Sequence, residues 1–462
     1  MKIIFINPSL RPNAKRRLLP VGVAYVMTAV GKAGFGFELI DMDINDMSMK
    51  DLEEILGHSK FDICALGCIV TGYRFVKQIA DIAKNVNPRC TVIAGNSVAT
   101  SIPESLLHNT KVDIAVLGEA DITMVKLLGV LERKGRLADV KGIAFKSGDE
   151  IIFTDKRAVV TDINAFDFPN WDIFDLDKYN EYGKVNANCF SRDNVLSFPL
   201  NSARGCPYSC TFCYHVFKGE KYRRYSENLI IKEIERLHYR YNCDFICFWD
   251  ELTLPNIKVV KSLAARIGAL DFKIGWRAIS RGGIFRKEHI GLIRELRDIG
   301  CESISFSLEN ASPEILRAIN KRMSVEQFIV QAKALWAGGV VPLTSVIFGY
   351  PQETPETIKM TLKVCEECNI YPSVGFLLPL PGTPIYEWAR ANKYIEDEVA
   401  YLEKIGDRQD LQINLTKISD EELVGTAEEG LRELAHKQGL ELESVFKTTT
   451  YQKPTAKALQ IN

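Results

Sequence analysis

Short apolar runs alternate with amphipathic stretches along most of the chain, and the alternation comes in two series. The first passes through residues 2–6, 37–40, 61–67, 91–94 and 112–117, with helical patterns such as residues 22–33 between them. Five strands separated by helices predict an open, parallel α/β sheet of the doubly wound, flavodoxin- or Rossmann-like kind, whose ligands lie beyond the carboxyl ends of the strands. Those ends, residues 7–15, 67–72, 95–100 and 118–121, are mostly rich in glycine or small polar residues. A hairpin over residues 142–145 and 151–154 finishes the unit. Residues 162–179, with Phe168-Pro-Asn-Trp171 among alternating acids and aromatics, follow neither period and are expected to form a connecting strap.

The second series has strand patterns at residues 196–202, 245–249, 273–276, 303–307, 342–348 and 374–376. Six β/α units predict a partial parallel barrel. Beyond it, Ser419 and Glu422 make a capping box, and Ile418 with Leu423 a hydrophobic staple, for one more helix. Residues 447–462 read as a loose tail. The expected organisation is an α/β domain over 1–140, hairpin and strap over 141–190, barrel over 191–392, and a small helical cap and tail over 393–462.

Composition changes this picture little. The 462 residues are 46% hydrophobic and 25% charged with a net charge of −1, which advertises neither nucleic acid nor an anionic membrane. Residues 1–8 hold too short an apolar run for a signal peptide, and no stretch reaches the roughly 20 apolar residues of a membrane span. A cytoplasmic protein is expected. Twelve cysteines in so large a chain then point to reduced thiols and metal ligation rather than a disulfide framework.

The chemistry concentrates in Cys206-Pro-Tyr-Ser-Cys210-Thr-Phe-Cys213, which follows a strand pattern and the turn Arg204-Gly205. Pro207 argues for a loop. Three closely spaced thiolates suit an iron–sulfur cube and leave one iron without a protein ligand. The alternatives are three buried thiols or a zinc site; His215, the candidate fourth zinc ligand, lies too close to close a second knuckle. The following Lys218, Lys221, Arg223 and Arg224 are expected to form a solvated loop. Cys365 and Cys368, on a helical pattern with no second pair, read as ordinary thiols, as do Cys64 and Cys68.

The spacing Cys-x3-Cys-x2-Cys, with Phe212 before the last cysteine, resembles the signature of the radical S-adenosylmethionine (radical SAM) superfamily. Phe248-Trp-Asp250-Glu251, Ser307-Leu-Glu309-Asn310, Gly349-Tyr-Pro-Gln-Glu353-Thr354 and Pro381-Gly-Thr-Pro384 extend the resemblance along the barrel. It implies a 4Fe-4S cluster on Cys206, Cys210 and Cys213. It further implies that Asp250 and Glu251 face the methionine amino group of S-adenosylmethionine, Arg281 its carboxylate, Glu309 the ribose and Phe212 the adenine. Arg277, Ser280 or Ser307 are alternatives for the jobs of Arg281 and Glu309.

In the first series, Asn7-Pro8, Leu19-Pro-Val-Gly22, Gly67-Cys-Ile-Val-Thr71, Gly95-Asn96 through Thr100, and Gly118-Glu119 resemble the cobalamin-binding domain fused ahead of such barrels. Asn7, Gly67, Thr71, Gly95, Asn96, Gly118 and Glu119 are the cofactor-binding residues this implies. No Asp-x-His-x-x-Gly follows the first strand, and His58 and His108 stand elsewhere, so a histidine lower ligand to cobalt is not expected. The other reading is a sheet that only covers the barrel mouth.

Together the resemblances imply a cobalamin-dependent radical methyltransferase acting on an unactivated centre through a 5'-deoxyadenosyl radical and methylcobalamin. The expected partners are a small-molecule or natural-product substrate and an external electron donor such as a flavodoxin or ferredoxin, without nucleic acid. A radical cyclase or rearrangement catalyst of the same architecture is the first alternative, and a non-catalytic iron–sulfur sensor or scaffold the second.

Overall fold

The computed structural model describes residues 1–11, 17–185, 195–441 and 445–446. Residues 12–15 of the first strand-end loop and the expected tail 447–462 lie outside them. Five parallel strands, β1 (Ile3–Asn7), β2 (Phe37–Asp41), β3 (Ile63–Gly67), β4 (Thr91–Gly95) and β5 (Ile114–Val116), stand in the order 2-1-3-4-5. This is the flavodoxin-like order, with its switch point between β1 and β3. The hairpin β6 (Ile143–Ser147) and β7 (Glu150–Phe153) extends the sheet antiparallel to β5.

The second sheet holds β8 (Lys184–Val185), β9 (Val195–Leu200), β12 (Phe245–Phe248), β13 (Gly275–Ile279), β14 (Cys301–Ser305) and β15 (Val341–Leu343), in the order 15-14-13-12-9-8. Between β9 and β12 in the chain lie two short strands, β10 (Ala203–Arg204) and β11 (Arg223–Arg224). β16 (Ser345–Phe348) and β17 (Ser373–Phe376) form a parallel pair. The single strand expected over 342–348 is therefore two. The break falls at Thr344, whose hydroxyl takes the Leu308 N–H at 3.0 Å, while Glu309 bridges to Val346. β15 stays with β14 and β16 turns to β17.

The strap is irregular because its aromatics fill the space between the halves. Trp171 is buried 6.2 Å from Phe198 of β9, and Phe168 lies 4.6 Å from Tyr225. The core is thereby continuous from the first sheet into the second. The carboxyl-terminal helices divide. Asp420–Lys437 packs on Pro355–Glu367 of the barrel, with Leu362 beside Gly430. Glu398–Lys404 instead joins the core of the first sheet through Tyr401 and Leu402. Ser419 accepts the Glu422 N–H at 3.1 Å, the one half of the expected capping box that forms.

Candidate functional site

The three cysteines sit on a loop, residues 205–222, whose base is closed by the antiparallel pair β10–β11. Gly205 enters it at φ +87°, a conformation that favours glycine. Where β9 ends, the Ser202 and Ala203 N–H groups are buried and need acceptors. Asp250, at the end of β12, supplies them: it accepts from Ser202 N (2.7 Å), Ser202 Oγ (2.7 Å) and Ala203 N (2.9 Å). Asp250, expected at the methionine amino group, thereby also pins the loop entrance. Glu251 accepts the Gly205 N–H at 3.2 Å and keeps solvent contact as a residue, although desolvation raises its carboxyl pKa.

Cys210 is buried, Cys206 half-buried and Cys213 exposed at the residue level. Burial pushes the Cys206 thiol up, and it raises Cys213 to about 12, with repulsion from Cys210, Glu309 and Cys206 adding to the latter. Thiolates so crowded call for a cationic partner. Among the described residues no three His, Cys, Asp or Glu side chains converge as the ligands of one metal ion. Three soft donors on one loop fit a multi-iron cluster, which spreads its ligands wider than a single zinc does.

Arg281 stacks on Tyr208, its guanidinium carbon 3.6 Å from the ring centroid, and is close enough to Cys206 to act on it electrostatically. Its Nη2 is buried without a hydrogen-bond partner among the described residues, an orphaned donor suited to an anion. Glu309, at φ +63°, is held by backbone bonds to Ser345 O (3.0 Å) and from Ile347 N (2.8 Å), and its carboxylate takes Lys321 Nζ at 2.7 Å. The expected ribose ligand is therefore already paired. Phe212 meets Tyr350 edge-on at 6.1 Å. Glu353 braces the neighbouring loops, accepting Asn310 Nδ2 on both oxygens (3.1 Å each) and the Thr357 hydroxyl; burial lifts its pKa to about 7.

The strand ends of the first sheet face this loop. An added Cβ would meet nothing within 4 Å at Gly118 (φ +69°) and only single contacts at 4.0 Å at Gly67 and Gly95. That open backbone is a cradle side chains would fill, and it fits a large ligand such as cobalamin. Asn96, at φ +69°, caps the next helix through Ser97 N (2.6 Å), and Thr71 lies in the turn Val70–Gly72 beside it. Asn7 is tied to Asp41 at 2.7 Å, and Asp41 also accepts the Tyr179 hydroxyl at 2.7 Å. His58 and His108 end helices Met49–His58 and Pro103–Asn109, off these loops.

Glu119, expected at the cobalamin, is engaged by arginines of the barrel half. Its carboxylate accepts from Arg204 Nη1 (2.5 Å) and Arg223 Nη1 (3.1 Å), while Asp121 takes Arg204 through two bonds of 2.9 and 3.0 Å. Arg223, expected in a solvated loop, is buried, because Glu119 gives its charge a partner. Nothing in the sequence links residues 119–121 to 204 and 223. A small, solvent-open cavity lies between the halves, lined among others by Leu18, Leu19, Tyr179, Tyr182, Trp249 and Arg277.

Comparison with known proteins agrees with this geometry. Residues 200–365 match the model of the radical SAM superfamily, and residues 10–128 that of the B12 binding domain. The chain thus carries a radical SAM domain behind a B12-binding domain. It is an enzyme whose cofactors are a 4Fe-4S cluster, S-adenosylmethionine and cobalamin. It is 28% identical over 402 residues to an uncharacterized methyltransferase of Pyrococcus horikoshii, covering 86% of this chain and 84% of the relative. It is 26% identical over 416 residues to the anaerobic magnesium-protoporphyrin IX monomethyl ester cyclase of Cereibacter sphaeroides, covering 87% of this chain and 66% of that one. In fold it is similar to TsrM, a radical S-adenosylmethionine methyltransferase of Kitasatospora setae (TM-score 0.66, 16% identity, 85% of this chain and 77% of TsrM).

Proposed function

We propose that this enzyme is a cobalamin-dependent radical methyltransferase acting on an unactivated centre of a small molecule held between its two halves. The observation that carries the reading is the apposition of the cysteine loop and the open strand ends of the first sheet. A methyl carrier and a radical source then share one chamber, and the solvent-open cavity beside Trp249 is where substrate enters. The likeness to a methyltransferase over most of the chain supports the same reading.

Cys206, Cys210 and Cys213 hold the cluster in this scheme. Arg281 offers its orphaned Nη2 to the methionine carboxylate and Glu251 its carboxyl to the amino group, a charge match at either end of one amino acid. Phe212 flanks the adenine, and the Glu309–Lys321 pair presents a fixed polar edge to the ribose. Gly67, Gly95 and Gly118 let backbone approach cobalamin. When bound, the cluster and S-adenosylmethionine supply a hydrogen-abstracting radical and cobalamin a transferable methyl group; the chain positions and shields them. A flavodoxin or ferredoxin delivers the electron. No helix among the described residues is long and apolar enough to cross a membrane.

The test is anaerobic turnover of reconstituted protein with S-adenosylmethionine and a strong reductant. Release of both S-adenosylhomocysteine and 5'-deoxyadenosine is expected, the first reporting methyl transfer and the second radical generation. The cyclase relative motivates the second reading, in which 5'-deoxyadenosine appears without S-adenosylhomocysteine. Release of neither refutes both.

A further inference from the structure

The four-charge group of Glu119, Asp121, Arg204 and Arg223 takes no direct part in the chemistry just described, yet it is deeply buried against the base of the cysteine loop. Each of its side chains is at most 8% exposed. Arg204 stands on β10 and Arg223 on β11, one on each arm of the loop's base. A two-residue ladder alone is a weak closure. Glu119 bonds both arms at once, and Asp121 holds Arg204 through both terminal nitrogens. Phe166 (4.3 Å), Tyr25 (4.9 Å) and Phe217 (6.0 Å) pack around the Arg204 guanidinium and exclude water. Removing Glu119 leaves the buried Arg223 guanidinium without its counter-charge and Arg204 with Asp121 alone, which drives the arms apart.

The acids come from the other half of the molecule. Glu119 follows Gly118, whose N–H donates to Thr100 Oγ1 at 3.0 Å, so the clasp is continuous with the open strand ends. A second contact lies on the neighbouring strand end: Tyr214, next to Cys213, and Ser101 of helix Ser97–Ser101 meet beside Gly382, where the Ser101 hydroxyl lies close enough to act on that of Tyr214. Both contacts leave the first sheet from segments that border the glycine cradle. Whatever orders that cradle orders the loop.

We propose that Glu119 and Asp121 are positioning residues for the cysteine loop, a buried ionic clasp through which occupation of the cobalamin domain tightens the loop's hold on its iron. The inference rests on the assignment of the cluster to Cys206, Cys210 and Cys213. Linkage makes the effect reciprocal: iron in the loop also tightens the cobalamin domain.

The experiment uses the full chain reconstituted with iron and sulfide, and follows the rate of iron release to a chelator with and without hydroxocobalamin. In the parent protein cobalamin is expected to slow release roughly fivefold or more, the scale of an ordinary coupling between sites. In Glu119→Gln release is faster and the cobalamin effect disappears. A merely structural role would speed release equally with and without cobalamin, and that outcome overturns the proposal. Tyr214→Phe, which removes one hydroxyl at the second contact, is the milder variant and decides the matter if Glu119→Gln does not fold. It is expected to shrink the cobalamin effect, and an unchanged ratio overturns the clasp. A parent protein that binds no iron overturns the cluster assignment instead.

Discussion

The two halves of this enzyme end their strands in opposite ways. At the carboxyl ends of the barrel strands the positions are filled by carboxylates that already hold hydrogen-bond partners: Asp250 at the loop entrance, Glu309 with Lys321, Glu353 with Asn310. At the ends of β3, β4 and β5 the first sheet offers glycine and bare backbone. The difference follows from the cofactors. A cluster and a charged amino acid need fixed ligands of defined charge, whereas a bulky ligand such as cobalamin needs room, which side chains would take away.

The strongest break in that comparison is Cys210→Ala, which is expected to abolish iron binding and 5'-deoxyadenosine release while leaving cobalamin content near the parent value, as visible absorption and metal analysis would show. Glu353→Gln tests the braces. Its carboxyl binds a proton more tightly folded than unfolded, so the parent protein's stability from this group is full below about pH 4.5 and lost as pH rises through about 7. The loss is about 3 kcal/mol. The glutamine variant, which cannot ionise, should lose the corresponding part of the pH dependence in urea melts between pH 5 and 8, and an unchanged slope would refute the assignment.

Arg281→Met should weaken S-adenosylmethionine binding by about 1.5–3 kcal/mol, the worth of a hydrogen bond to a charged group, with iron content unchanged. Unaltered affinity in equilibrium dialysis would remove Arg281 from the site. The smallest effect sharpens the other side. Gly95 has an ordinary backbone conformation and no close neighbour, so Gly95→Leu should fold normally and cost about 1–3 kcal/mol of cobalamin affinity by filling the approach. Full cobalamin retention would show that the ligand does not pass there.

Much of this was legible in the chain. Short apolar runs between amphipathic segments announced both α/β series, because such patterns are local. The split at Thr344 was not, since Val341 to Phe348 is one unbroken strand pattern and only the bond from Leu308 interrupts it. The cysteine triad was legible because its three ligands are contiguous. The protein partners of Asp250 and Glu119 were not legible, because they come from segments distant in the chain.

The sequence by itself determined the two folds, their order and the cysteine loop, all properties of local spacing and residue type. Tertiary structure alone decided which charges are free to meet a ligand. Arg223 looks like a solvated base until Glu119, brought from the other half of the chain, gives its charge a buried partner; Arg281 looks interchangeable with Arg277 until packing on Tyr208 leaves its Nη2 unpaired. A charge acquires its role from the groups that surround it, and those come from segments distant in the chain.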